Sequence, residues 1–108
     1  MILGTAISIK GFPVRLTDER WEHILDRHPH DFSYSDWQMI LDVVENPDYV
    51  LRGHRSARAA AVPAGNEYLF VMYRELKLKD KSKDGFIITA YYDDYLDKSI
   101  IIWRRDDP

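Results

Sequence analysis

LTDERWEHILDRHP occupies residues 16–29 and predicts a complete amphipathic helix. Thr17 is placed to cap the first turn with its side chain, and Pro29 ends the helix. Apolar positions recur at i, i+3, i+4 and i+7, the spacing of one helical face. They are Trp21, Ile24, Leu25 and His28. The helix therefore has a defined start, a defined end and one face that must pack on another surface.

Cationic side chains follow one flank of this predicted helix. Arg20, His23 and Arg27 stand at i, i+3 and i+7, so they share an edge. An imidazole titrates at a pKa of about 6.5 and can donate or accept a proton at neutral pH. Guanidinium groups bind phosphate oxygens in a bidentate manner. The pattern predicts His23 as a general acid or base between two phosphate contacts, although a merely solvated helix face has the same spacing.

A second helix and several strands follow. The apolar stripe of residues 35–45 again has helical spacing, and from Tyr49 the apolar period becomes two. Strands are predicted at 49–52, 67–76, 86–92 and 99–103, with a weak edge strand at 5–9 and an ambiguous segment at 59–61. This order predicts an α+β fold in which two N-terminal helices pack on a roughly four-stranded antiparallel sheet. Its open face is the expected ligand surface.

Length and composition restrict the function classes. At 108 residues, the chain is expected to form one domain spanning residues 1–108. Residues 1–4 are too short for a signal peptide, and no apolar run approaches the ~20 residues that span a bilayer, so no membrane partner is expected. The absence of cysteine is typical of a reducing cytoplasm. A net charge of −3 argues against electrostatic coating of nucleic acid, and nothing signals DNA recognition.

The histidines of the predicted helix and of the following loop offer metal binding as an alternative to acid–base chemistry. His28 belongs to the apolar stripe, where a structural role is the simpler interpretation, and His30 follows in the loop. A metal site formed by His23, His28 and His30 is an alternative to metal-independent catalysis. However, neither an HExxH nor a CxxC pattern accompanies these residues. We therefore expect no metal and no cofactor.

Further candidates lie on the predicted strands and in one basic segment. Thr89 and Tyr91 alternate with apolar residues and so share one face of their strand, while Tyr73 and Arg74 lie on opposite faces of theirs. Cross-strand packing is the simpler interpretation of these side chains. Residues 52–58, which include Arg52 and Arg55, form the best nucleic-acid patch, with a solvated loop as the alternative.

Four segments together resemble a known family. They are LTDERWEHILDRHP at 16–29, VENPDYV at 44–50, LFVMYR at 69–74 and GFIITAY at 85–91. The chain resembles, over residues 14–104, the phage and bacterial branch of the barnase–EndoU–colicin–RelE (BECR) nuclease-like fold. The RWxHIxxRHP and ITAY motifs are the specific part of this resemblance. A shared fold does not by itself determine activity.

The resemblance implies a metal-independent endoribonuclease, toxin-like, with RNA as substrate and an antitoxin or other protein as partner. The catalytic residues it implies are His23, Arg27, His28, Thr89 and Tyr91, and the substrate contacts are Arg20, Arg52, Arg55, Tyr73 and Arg74. In this reading, His23 and Arg27 face Thr89 or Tyr91 across one phosphodiester. The alternative is a non-catalytic RNA- or protein-binding module of phage or mobile-element origin on the same fold.

Overall fold

A seven-stranded sheet forms the centre of the computed structural model, which describes residues 1–106. The strands are β1 (Ile2–Ile7), β2 (Pro13–Thr17), β3 (Tyr49–Arg52), β4 (Ala57–Ala64), β5 (Glu67–Lys77), β6 (Lys83–Asp93) and β7 (Ile101–Arg104). They are arranged in the order β1-β2-β6-β5-β4-β3-β7. The helices are α1 (Asp18–Arg27) and α2 (Trp37–Glu45), with short 3₁₀ turns at Tyr34–Asp36 and Lys98–Ile100.

The first helix is confirmed in its cap and its buried face. The Thr17 hydroxyl accepts a hydrogen bond from the backbone N–H of Arg20, at 3.2 Å. Trp21 and Ile24 are completely buried, in one cluster with α2 and the sheet. Amphipathic spacing thus placed both helices against a common apolar layer. None of the helices within residues 1–106 combines the length and the hydropathy that a membrane-spanning helix needs.

The predicted fold of two N-terminal helices on a four-stranded antiparallel sheet is wrong. The chain begins with the antiparallel hairpin β1–β2, and the sheet has seven strands. It is also mixed, because β2 runs parallel to β6 through the pair Arg15 and Phe86. The sequence of elements is therefore strand, strand, helix, helix and then five strands.

Two strands have local sequences that indicate a strand only weakly. No strand was predicted between residues 9 and 49, yet Pro13–Thr17 forms β2, in which Val14 and Leu16 are fully buried. β4 is rich in alanine, which has low intrinsic strand propensity. It is a strand because β3 and β5 pair with it on both sides. Distant pairing partners, rather than local preference, determine both elements.

The two faces of the sheet bury different layers. Leu69, Val71 and Tyr73 of β5 belong to the layer that packs on the helices. Phe70 belongs to a smaller cluster on the opposite face, which residues 96–101 partly cover, and Met72 packs against that cluster. We call these the helix face and the second face.

Residues 8–12, the turn of the β1–β2 hairpin, contact one end of the helix face. The turn is tight: the N–H of Gly11 donates to Ser8 O at 2.8 Å, and Gly11 adopts a left-handed φ of 83°. The Ser8 hydroxyl then donates to a carboxylate oxygen of Glu75 on β5, at 2.7 Å. This contact brings the N-terminal hairpin against the middle of the sheet.

Candidate active site

The four side chains expected to enclose a phosphodiester lie on two different sides of the molecule. His23 and Arg27 are exposed on α1, which packs on the helix face. Thr89 and Tyr91 pair with Met72 and Phe70, so they lie on the second face. The expected pocket between helix and hydroxyls is therefore not formed, because the sheet separates the two pairs.

The remaining α1 candidates have separate surroundings. Arg20 and His23 line a wide, shallow cavity of about 400 Å³ together with Thr17 and Glu19. His28 packs edge-on against Phe32, with ring centroids 6.4 Å apart. Its imidazole Nδ1 is 3.6 Å from an Asp31 carboxylate oxygen. These contacts fit the structural role considered for His28.

Tyr91 lies in a groove of the second face with acidic margins. Its ring stacks on Phe70, with centroids 5.4 Å apart. Burial, followed by the charge of Asp93, raises the pKa of the Tyr91 hydroxyl, so the group is neutral at physiological pH. Asp93 and Asp97 line the groove, with Arg52 the only cationic lining residue in the part of the chain that the structure describes. This charge balance disfavours a phosphate.

The predicted substrate contacts are likewise dispersed. Arg52 and Arg55 are exposed, and Arg55 adopts a left-handed φ of 57°. Arg74 pairs across the sheet with Phe86, and its guanidinium donates to the Ser56 hydroxyl at 3.0 Å. Tyr73 is completely buried in the layer under the helices. Of the predicted contacts, Arg74 bonds to a lining residue of the pocket described next, Ser56, whereas Arg52 lines the groove of the second face.

A pocket of about 250 Å³ lies where the β1–β2 turn meets β4 and β5. We call it the Arg58–Glu75 pocket; it is lined by Lys10, Phe12, Ser56, Arg58, Glu75 and Lys77. Three cationic side chains thus surround one carboxylate, and Phe12 supplies an apolar wall. Such a balance favours an anionic ligand.

The carboxylate of this pocket is held in one orientation. The Glu75 side chain is only 7% exposed, and one oxygen accepts the Ser8 hydrogen bond. The Ser8 hydroxyl itself accepts from the backbone N–H of Phe12 at 3.2 Å, which fixes the direction of its proton. The other Glu75 oxygen lies 3.8 Å from Arg58 Nε, an ion-pair distance too long for a hydrogen bond. One carboxylate oxygen is therefore positioned but has no close donor of its own.

Arg58 has hydrogen-bonding capacity left over. Its guanidinium donates to the carbonyls of Ala57 and Arg55, at 2.8 and 3.2 Å. Its Nε, by contrast, is buried without an acceptor within residues 1–106. Arg52 stands directly opposite Arg58 in the β3–β4 register. The Arg52 side chain, however, lines the groove of the second face. A buried donor without an acceptor is costly, so the Arg58 Nε is an unsatisfied group at the wall of the pocket.

Glu75 was not predicted as a site residue, although the sequence contains a signal for it. Leu69, Val71, Tyr73 and Glu75 occupy alternate positions of one strand, and the first three are buried apolar or aromatic residues. A carboxylate that continues a buried row is unusual and marks a functional candidate. The Ser8 partner had no such signal, because it lies 67 residues away along the chain.

Beneath the pocket, the Tyr73 hydroxyl is buried and has no hydrogen-bond partner in the described chain. Burial, followed by the neighbouring Glu75 charge, raises its pKa well above the usual tyrosine range, and Arg58 partly opposes this.

Tyr73→Phe is expected to be at least as stable as the wild type, with a gain of up to ~1–3 kcal/mol from removing the unsatisfied hydroxyl. Urea denaturation measures the change, with the half-buried Tyr68→Phe as control. A clear loss of stability would indicate an ordered water on the hydroxyl.

In residues 1–106, no three histidine, aspartate or glutamate side chains are grouped closely enough to bind a metal ion. No protein-family model matches the chain. Searches of curated proteins and of solved structures also find no match.

Proposed function

We propose that this protein is a metal-independent endoribonuclease whose reactive groups line the Arg58–Glu75 pocket. One observation carries the proposal: a buried, oriented carboxylate lies beside an arginine whose Nε has no acceptor, within a cationic rim. The resemblance of residues 14–104 to BECR nucleases implies the same activity but points to different residues. His23 as the catalytic base is the competing assignment, and an antitoxin partner stays a prediction.

The pocket supplies the groups that RNA transesterification requires. Glu75 accepts the proton of the ribose 2′-hydroxyl, and the resulting oxygen attacks the adjacent phosphorus. The bond from phosphorus to the 5′ oxygen breaks, and a rim ammonium, Lys10 or Lys77, returns a proton to that oxygen. Arg58 donates to the charge that develops on the phosphoryl oxygens. The products are a 2′,3′-cyclic phosphate and a 5′-hydroxyl, so atoms and protons balance without a metal.

Purified protein incubated with RNA in EDTA tests this proposal. We expect RNA fragments whose 3′ ends carry a 2′,3′-cyclic phosphate. Mass spectrometry detects it, and so does 3′-end labelling that succeeds after acid opening of the ring followed by phosphatase, but not after phosphatase alone. Intact RNA in the presence of folded protein would contradict the proposal, and so would cleavage that requires added divalent metal. RNA binding without cleavage would favour the non-catalytic binding module instead.

A further inference from the structure

We propose that the Arg58–Glu75 pocket is one end of a longer phosphate-binding surface for a single-stranded nucleic acid, an inference that rests on the proposed function. Five of the six lysines of the chain lie at this end of the molecule. Lys10 lies in the β1–β2 turn, and the other four lie in the hairpin that joins β5 to β6. We call these four the lysine arm: Lys77, Lys79, Lys81 and Lys83.

The lysines of this surface are not neutralised by the protein. Within residues 1–106, no lysine ammonium forms a salt bridge with a carboxylate. The two aspartates of the segment bind other groups: Asp80 accepts from Ser82, and Asp84 pairs with Arg15. These contacts lower the pKa of both carboxyl groups. Asp80 therefore stays ionised, and the four lysines of the arm outnumber this one carboxylate, so the arm is positively charged although the whole chain has a net charge of −3.

The lysine arm is continuous with the pocket. Lys77 lines the pocket at the base of the arm. On the adjoining strand, the Lys83 ammonium lies 3.4 Å from the Lys10 carbonyl and 5.1 Å from the centre of the Phe12 ring. The tip is a closed turn, because Leu78 and Ser82 are joined by a backbone hydrogen bond of 2.8 Å. A strand that enters the pocket therefore meets further cations just outside it.

The type of cation indicates the type of recognition. Lysine ammonium groups act as compact point charges, without the fixed fork of arginine, and so they bind phosphates without selecting bases. We therefore infer a substrate with several successive phosphates, bound independently of sequence through the arm. A dinucleotide would occupy the pocket alone. An acidic membrane surface is the competing partner, but only Leu78 of the tip is an exposed apolar side chain, and the catalytic pocket adjoins the arm.

Oligothymidylate DNA tests the arm separately from catalysis, because it has no 2′-hydroxyl and is not cleaved by the proposed reaction. Fluorescence anisotropy gives its affinity for the wild type and for the double variant Lys79→Gln with Lys81→Asn. Asparagine tolerates the left-handed φ of 70° at position 81. Each lost phosphate contact reduces the slope of log affinity against log salt by about 0.7 for single strands. The ratio of the wild-type affinity to the variant affinity should thus fall about sevenfold when the salt concentration rises from ~50 to ~200 mM.

Two controls vary the length of the oligonucleotide and the position of the substituted lysine. A decanucleotide should bind the wild type more tightly than a dinucleotide, and the arm variant should lose most of this difference. Lys98→Gln removes the one lysine outside this end of the molecule and should leave the salt slope unchanged. An unchanged slope in the arm variant overturns the inference, even if RNA is cleaved. So does binding of phosphatidylserine vesicles without oligonucleotide binding. A reduced slope supports the inference even if cleavage is not observed.

Discussion

Glu75→Gln is expected to reduce RNA cleavage by about 10²–10⁴-fold, the usual contribution of a positioned general base. The amide has nearly the shape of the carboxylate, and its oxygen can still accept the Ser8 hydrogen bond. It cannot take up the 2′-hydroxyl proton. Single-turnover cleavage of a short RNA in EDTA gives the rate, and urea denaturation shows whether the variant is folded.

Two matched variants show whether the effect belongs to position 75. Glu67→Gln makes the same change at the exposed start of β5 and should cleave at close to the wild-type rate. His23→Ala tests the residue that the sequence suggested as base, and it too should keep near-normal activity because His23 is exposed on α1. Full activity in folded Glu75→Gln, or loss of activity confined to His23→Ala, would reject the assignment of Glu75.

Ser8 provides a second route to the same conclusion if Glu75→Gln is poorly folded. Ser8→Ala keeps the carboxylate but removes the hydroxyl that orients it. A positioning residue of this kind should lower kcat more than it raises KM, because the substrate still meets Arg58 and the rim lysines. A change in KM alone would assign Ser8 to ligand binding rather than to orientation of the base.

The parts of the fold that were predictable are those with strong local periodicity. α1 has its cap, its apolar stripe and its terminal proline within 14 residues, and β3 was predicted with its observed bounds. By contrast, β2 and β4 are strands because they pair with other strands of the sheet. The short apolar alternation of β2 and the run of alanines in β4 do not indicate which strands those partners are. The mixed sheet follows from those non-local contacts, so its topology could not be derived from local pattern.

Some residues of the candidate site were likewise predictable from local sequence, and others were not. The basic segment 52–58 was predicted as a nucleic-acid patch, and Arg58 of that segment lines the Arg58–Glu75 pocket. The partner carboxylate could have been found from the buried row of β5. The convergence of α1 with Thr89 could not be judged, because it depends on which face of the sheet each element occupies. A bulge in β6 also breaks the regular alternation of its side chains between the two faces. Met72 pairs with Thr89 but Tyr73 pairs with Ile87, so Thr89 and Ile87 lie on opposite faces of the sheet.

Gly85→Ala is expected to destabilise the protein by ~1–3 kcal/mol or more, because the added methyl group has no space. A Cβ at this position would lie 2.6 Å from the Arg74 carbonyl oxygen and 2.8 Å from the Pro13 carbonyl oxygen. Both atoms are backbone, so neither can rotate away. Relief requires separation of β6 from β5 or from β2, and β2 and β6 are aligned through the pair Arg15 and Phe86. Thermal denaturation should show a melting temperature lower by about 4–8 °C for each kcal/mol lost.

The same substitution should also disturb the pocket. Gly85 pairs directly with Glu75, and Pro13 follows the turn that supplies Ser8 and Phe12. Displacing β2 therefore weakens the Ser8–Glu75 hydrogen bond, and RNA cleavage should fall even at temperatures where the variant is folded. Gly65→Asn is the matched control, because Gly65 has open space around it and a left-handed φ of 63° that asparagine tolerates. Wild-type stability in Gly85→Ala would contradict the close approach of β2, β5 and β6 on which the pocket depends.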